Sequence, residues 1–163
     1  MDIDKLLHAL NNEGNEAIVD LDYRKIAKAK NDILQQLNLP RAELIALQTK
    51  LKPYRYIDDL ADIRYGSYIR WISLKNPSVI KLTNGGIICD IKASAAGAHN
   101  EVGAHSAAGA HNAAGAPTQD DIIIKCKNRM NNIFQIKMSE VILFQKLTEQ
   151  EQVILSALKL IQG

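Results

Sequence analysis

The chain has 163 residues, 47% of them apolar and 5% aromatic, and its 20 basic side chains nearly balance 18 acidic ones for a net charge of +2. That length suits one domain, or one domain with a helical appendage, and the apolar content supplies a real core, which excludes general disorder. The charge balance excludes a molecule whose whole surface attracts polyanions.

No apolar run is long enough to span a bilayer, and the opening MDIDK lacks the apolar stretch of a secretory leader. The expectation is therefore a cytoplasmic protein, without a membrane partner.

In chain order, helices come first. Ile3, Leu6, Leu7 and Leu10 fall at helical spacing, and the polar NNEGN stretch stops that helix. A second begins near Asp22, with Asp20 or Asp22 as its capping oxygen. It carries Tyr23, Ile26, Ile33, Leu34 and Leu37 on one face, with Lys25, Lys28, Lys30 and Asp32 on the solvated one. Pro40 suits the first turn of a third helix, which shows Leu44, Leu47 and Leu51 and ends before Pro53.

Around Tyr54 the pattern changes. Tyr65, Gly66 and Ser67 read as a turn, and residues 68–74 as a strand in which Tyr68, Arg70 and Ile72 face opposite to Ile69, Trp71 and Ser73. Residues 79–82 and 86–91 flank Asn84 and Gly85, a pair that predicts a hairpin turn because both of its central residues need positive φ. Residues 122–127 and 133–137 make two more strands around the polar loop 128–132. Ser139 and Glu140 break the chain before a last strand at 141–144. Thr148 and Glu151 form a capping box, followed by the apolar stripe Val153, Ile154, Ala157, Leu158 and Ile161, expected to lie across the sheet.

The predicted fold class is α+β: N-terminal helices, a small antiparallel β-sheet or partly open β-barrel of five to six strands, and a C-terminal capping helix. Residues 1–53 form the helical segment and 54–163 the sheet domain.

Residues 95–118 interrupt that domain with four tandem hexads, AAGAHN, EVGAHS, AAGAHN and AAGAPT, which carry His99, His105 and His111. Neutral imidazoles bind zinc or copper, so these three histidines are the metal candidates. Against them, six-residue spacing turns successive histidines to different helix faces, and no cysteine or paired carboxylate completes a site. The favoured reading is a tolerated low-complexity loop, with no metal and no cofactor.

Catalytic signatures do not emerge. The TNGG run lacks the context of a phosphate-binding loop, and no nucleophile elbow, HExxH pair or Cys–His arrangement is present. Asp58, Asp59 and Asp62 suggest a magnesium site, and Asp58–Asp59 and Asp120–Asp121 acid–base pairs, but adjacent acids at strand and loop ends are usually solvated. Cys89 and Cys126 read as two buried free thiols. The expectation is a protein that is not an enzyme and has no small-molecule substrate.

Binding of nucleic acid has a more specific basis. Tyr68, Arg70 and Trp71 interleave aromatics with a cation, and Lys125, Lys127, Arg129 and Lys137 put four positive charges and no acid within residues 122–137. Tyr68, Arg70, Trp71, Lys125, Lys127 and Arg129 are the candidate contact residues. The competing reading makes Trp71 a core anchor and the lysines guards of a sheet face or edge.

The runs YRYIDDL, YGSYIRWISL, LTNGG and FQIKMSEVILFQKLTEQEQVILSAL resemble small uncharacterised proteins encoded by large DNA viruses. The likeness spans residues 54–92 and 122–161, brings no site residues with it, and implies a place in the host cytoplasm or the virion. The leading expectation is a non-catalytic protein–protein interaction or structural component of a larger assembly, a viral one by the resemblance, with protein partners or self-association. A nucleic-acid-binding module is the alternative.

Overall fold

Helix α1 (Ile3–Asn11) starts where an aspartate can cap it: Asp2 accepts from the backbone N–H groups of Asp4 and Lys5 at 3.0 and 3.2 Å. The structure, a computed structural model, describes residues 2–93 and 122–162. The histidine repeat with His99, His105 and His111, and the pair Asp120 and Asp121, lie outside the described residues.

The described chain gathers into two compact units, one built from the N-terminal residues through Tyr56 together with the stretch from Phe144 onward, the other Ile57–Leu143.

In the first unit the NNEGN stretch does more than stop α1. It forms a 3-10 turn, Glu13–Asn15, that leads into the short helix α2 (Glu16–Val19). Asn15 is buried, and its amide donates to Ala9 O at 2.8 Å and to Gln150 Oε1 at 3.1 Å, so the polar run is pinned by specific bonds.

Helix α3 (Tyr23–Gln35) is capped by Asp22, which accepts from Lys25 N–H at 2.7 Å. That bond holds the Asp22 carboxyl below its ordinary value, so the cap operates at neutral pH and is lost as acid titrates the group. Helix α4 (Arg41–Lys50) follows, with Pro40 as its N-cap. Lys30, expected on a solvated face, instead sends its ammonium to the carbonyls of Leu51 and Lys52 at 3.0 and 3.3 Å. Positive charge is favourable at a helix C-terminus, although burial pulls the Lys30 pKa down.

Helix α5 (Glu149–Gln162) contains the expected capping box: Thr148 N–H donates to Glu151 Oε1 at 2.9 Å, and Glu151 N–H to Thr148 Oγ1 at 3.1 Å. Glu151→Ala removes a buried acceptor and is expected to lower stability by about 1–2 kcal/mol, read as a shift of the urea midpoint. Within this unit α5 packs with the N-terminal helices, where Ile154 and Leu155 cluster with Ala9, Ile18 and Ile26.

Six strands, β1 (Tyr54–Ile57), β2 (Tyr68–Ser73), β3 (Gly86–Ala93), β4 (Ile122–Lys127), β5 (Ile133–Lys137) and β6 (Val141–Lys146), hydrogen-bond in the order β1-β6-β2-β3-β4-β5. Among the described residues the sheet is open, with β1 and β5 as its outer strands, and it does not close into a barrel. The pairs β2–β3, β3–β4 and β4–β5 are antiparallel.

In the second unit, Ile69, Trp71, Ile88, Ile122, Ile124 and Cys126 are buried on one face of the sheet with Met138 and Leu143. Trp71 meets Phe134 edge-on, ring centroids 6.5 Å apart. Their strands are three spacings apart, roughly 14 Å in a flat sheet, so β2–β5 curl around this core.

Two expectations need correction here. Residues 79–82 are not a strand: within them only Leu82 pairs, as an isolated bridge to Ile72. Nor do Asn84 and Gly85 turn a hairpin. Ile72 pairs with Leu82 and Ile69 with Gly86, so three residues, Thr83, Asn84 and Gly85, oppose two, Arg70 and Trp71. That is a bulge, with Gly85 at φ +80° and Asn84 not at positive φ. The turn at Tyr65 and Gly66 does form, with Ser67 N–H donating to Arg64 O at 3.2 Å and Gly66 at φ +81°.

Candidate binding face and edge of the sheet

Alternation along the strands sends Tyr68 and Arg70 of β2 and Lys125 and Lys127 of β4 to the face opposite the core. Register then lines them up. Tyr68 pairs with Ile87, Ile87 with Lys127 and Lys127 with Ile133, one row across four strands; Asp90, Lys125 and Gln135 form the next, and Lys92, Ile123 and Lys137 the third. Lys127, Gln135 and Lys137 are exposed, and Ile87 and Ile133 keep 49% and 63% of their surface in solvent. This outer face is basic with an apolar row through it.

Four of the six residues singled out from the sequence therefore share one face. Trp71 does not join them: it is 8% exposed and sits in the core on the other side. Arg129 is exposed in the β4–β5 loop, where Asn128 Oδ1 accepts from Met130 and Asn132 N–H at 2.9 and 3.0 Å and Asn131 adopts φ 64°.

Arg70 and Tyr68 are engaged with the bulge. Arg70 Nε donates to Thr83 O at 2.8 Å, and the Tyr68 hydroxyl donates to Asn84 O. Both side chains satisfy carbonyls that the bulge takes out of the regular ladder. Arg70→Ala is accordingly expected to cost about 1–2 kcal/mol of stability, whereas Lys127→Ala leaves thermal stability within about 0.5 kcal/mol; paired denaturation curves read the difference.

Both cysteines are free thiols, as expected, but only one of them is buried. Cys126 is buried, and burial pushes its thiol up to about 11. Cys89 is exposed, because it occupies the register shift between Ile88 and Asp90. A disulfide-exchange reagent at pH 8 is expected to titrate one thiol in the native protein and both after denaturation.

Asp59 serves as the N-cap of the 3-10 turn Leu60–Asp62, accepting from Ala61 N–H at 3.0 Å. Among the described residues, no three or more His, Cys, Asp or Glu side chains gather as a metal site, and no helix is long and apolar enough to cross a membrane.

The residues singled out from the sequence do not include the exposed apolar ones at the β5 edge of the sheet. Every residue of β5 is exposed or half-buried, including Ile133 and Phe134 at 63% and 42%, and Met130 in the adjoining loop is 79% exposed. The outer strand at the opposite side, β1, has three of its four residues buried. The signal was present in Ile133 and Phe134: two large apolar neighbours in a strand point to opposite faces, so the pair cannot share one buried side.

Next to the end of β5 lies a pocket of about 240 Å3, lined by Trp71, Ile136 and Val141 and bordered by Lys137. An ion pair of 2.9 Å between Lys75 and Glu140 closes part of its rim. No family model matches the chain, and neither a curated protein nor a solved structure matches it.

Proposed function

We propose that this protein is a non-catalytic protein–protein interaction module that works through the β5 edge of its sheet. The carrying observation is the contrast between the two outer strands: β1 is covered, while β5 presents Ile133, Phe134 and neighbouring Met130 to solvent. An outer strand with exposed apolar side chains is an association hazard unless something covers it in use.

Site-specific crosslinking tests this. A photoreactive benzophenone at Gln135 is expected to give discrete protein adducts in extracts of the producing cells, and the same group at Lys28, exposed on α3, none. Excess unlabelled protein suppresses those adducts, but its Gln135→Pro variant, which lacks the backbone donor, does not. Adducts equal at both positions sink the reading.

A second reading, nucleic-acid binding, is favoured by one observation: Lys125, Lys127 and half-buried Tyr68 share the outer face. It requires that single-stranded or duplex oligonucleotides bind, with an affinity that falls steeply with salt and falls again in Lys127→Ala. Lys127 is the informative position, since Arg70 also holds the bulge. Absence of binding at low salt removes this reading.

A further inference from the structure

We infer that the β5 edge takes an extended segment of a partner protein that alternates apolar and acidic residues, added as a further strand. This rests on the edge-docking reading above and names its occupant. Three features of the second unit carry it.

The first is the backbone. Asn128 N–H donates to Asn132 O at 3.0 Å, which makes that pair hydrogen-bonded at the mouth of the β4–β5 hairpin. Antiparallel pairs alternate, so the pairs of Cys126 with Phe134 and Ile124 with Ile136 are hydrogen-bonded as well. Ile133, Gln135 and Lys137 then direct their N–H and C=O groups away from β4. Among the described residues β5 is the outer strand there, and these groups form the template on which a strand adds.

The second is charge. Lys127, Arg129 and Lys137 are exposed beside that template, and residues 122–137 hold no acid. A second copy of β5 would bring the same three cations against them, which disfavours self-pairing. Carboxylates on the outer side of an added strand match them instead.

The third is the pocket beside Gln135 and Lys137. Trp71, Ile136 and Val141 offer it an apolar wall on the inner side of the edge. Because side chains alternate along a strand, the residues between the carboxylates face Phe134, Ile136 and this pocket. Main-chain bonds give such a site its affinity, and the pocket and lysines give it sequence preference.

The test uses the full chain and three fluorescent, end-capped decapeptides: alternating Val-Glu, alternating Val-Lys, and the Val-Glu peptide N-methylated on alternate residues. Anisotropy reports binding, and NMR amide exchange reports where. The Val-Glu peptide is expected to bind at least tenfold tighter than either control and to slow exchange at the Gln135 and Lys137 amides. Its affinity is expected to fall at least tenfold in Lys127→Glu/Lys137→Glu, a surface variant whose folding is checked by its melting curve. Equal binding of the N-methylated peptide overturns the inference, since charge alone then explains the affinity. Tighter Val-Lys binding with protection at β5 overturns the acidic partner while leaving edge docking intact. Protection of β5 by none of the peptides also overturns it, and the benzophenone adducts at Gln135 then decide separately whether the edge docks a protein at all.

Discussion

Gly85→Ala is expected to be the most damaging single-atom change in this protein, costing about 3–5 kcal/mol and shifting the urea midpoint accordingly. Two penalties combine. Gly85 sits at φ +80°, where a Cβ collides with the local backbone, and the added carbon would stand 1.9 Å from Ile69 O and 2.9 Å from the Ile69 carbonyl carbon. Those atoms belong to the neighbouring strand, so relief requires moving β2 away from the bulge and breaking the Arg70 and Thr83 bonds that hold it. Gly66 supplies the control. It has nearly the same φ, +81°, but among the described residues nothing lies within 4 Å of where its Cβ would go. Gly66→Ala should therefore cost only about 1 kcal/mol, the backbone contribution alone. Equal effects at the two glycines would mean that the bulge does not approach Ile69 in this way.

Leu155→Ala is expected to cost about 3 kcal/mol, within the 2–5 kcal/mol typical of such truncations. Leu155 is fully buried and packs with Ala9, Ile18, Ile26 and Ile154, so its loss leaves a cavity shared by α1, α2, α3 and α5. Hydrogen exchange should report faster opening in α1 and α3 as well as α5, which checks that the three helices share this cluster. Leu160, on the same helix but 69% exposed, serves as the control, and Leu160→Ala should stay within about 0.5 kcal/mol.

The elements that were legible in the sequence are those whose chemistry is complete within a few residues. The capping box of Thr148 and Glu151, the cap of Asp22, the Gly66 turn and the Asn128–Asn132 loop each satisfy their own backbone groups locally. The basic stripe was legible too, because alternation in a strand already places Lys125 and Lys127 together opposite Cys126. Asn84 and Gly85 misled for the same reason in reverse. Locally they are the best hairpin pair in the chain, yet Leu82 pairs back to Ile72, so both residues fall inside a strand pairing and only Gly85 takes the positive φ.

By itself, then, the sequence determined the α+β class, the succession of helices, then strands, then a last helix, several of the caps and turns, and the face on which each residue of a recognised strand lies, since these follow from periodicity and short-range hydrogen bonding. Tertiary structure alone decided which strands neighbour each other, that β1 is covered while β5 is open, that α5 packs among the N-terminal helices, and that Trp71 is buried away from the lysines. Those outcomes depend on which apolar surfaces meet across long stretches of chain, and an apolar side chain carries no label for its partner: burial is non-directional, and only the packed whole selects among the surfaces that would serve.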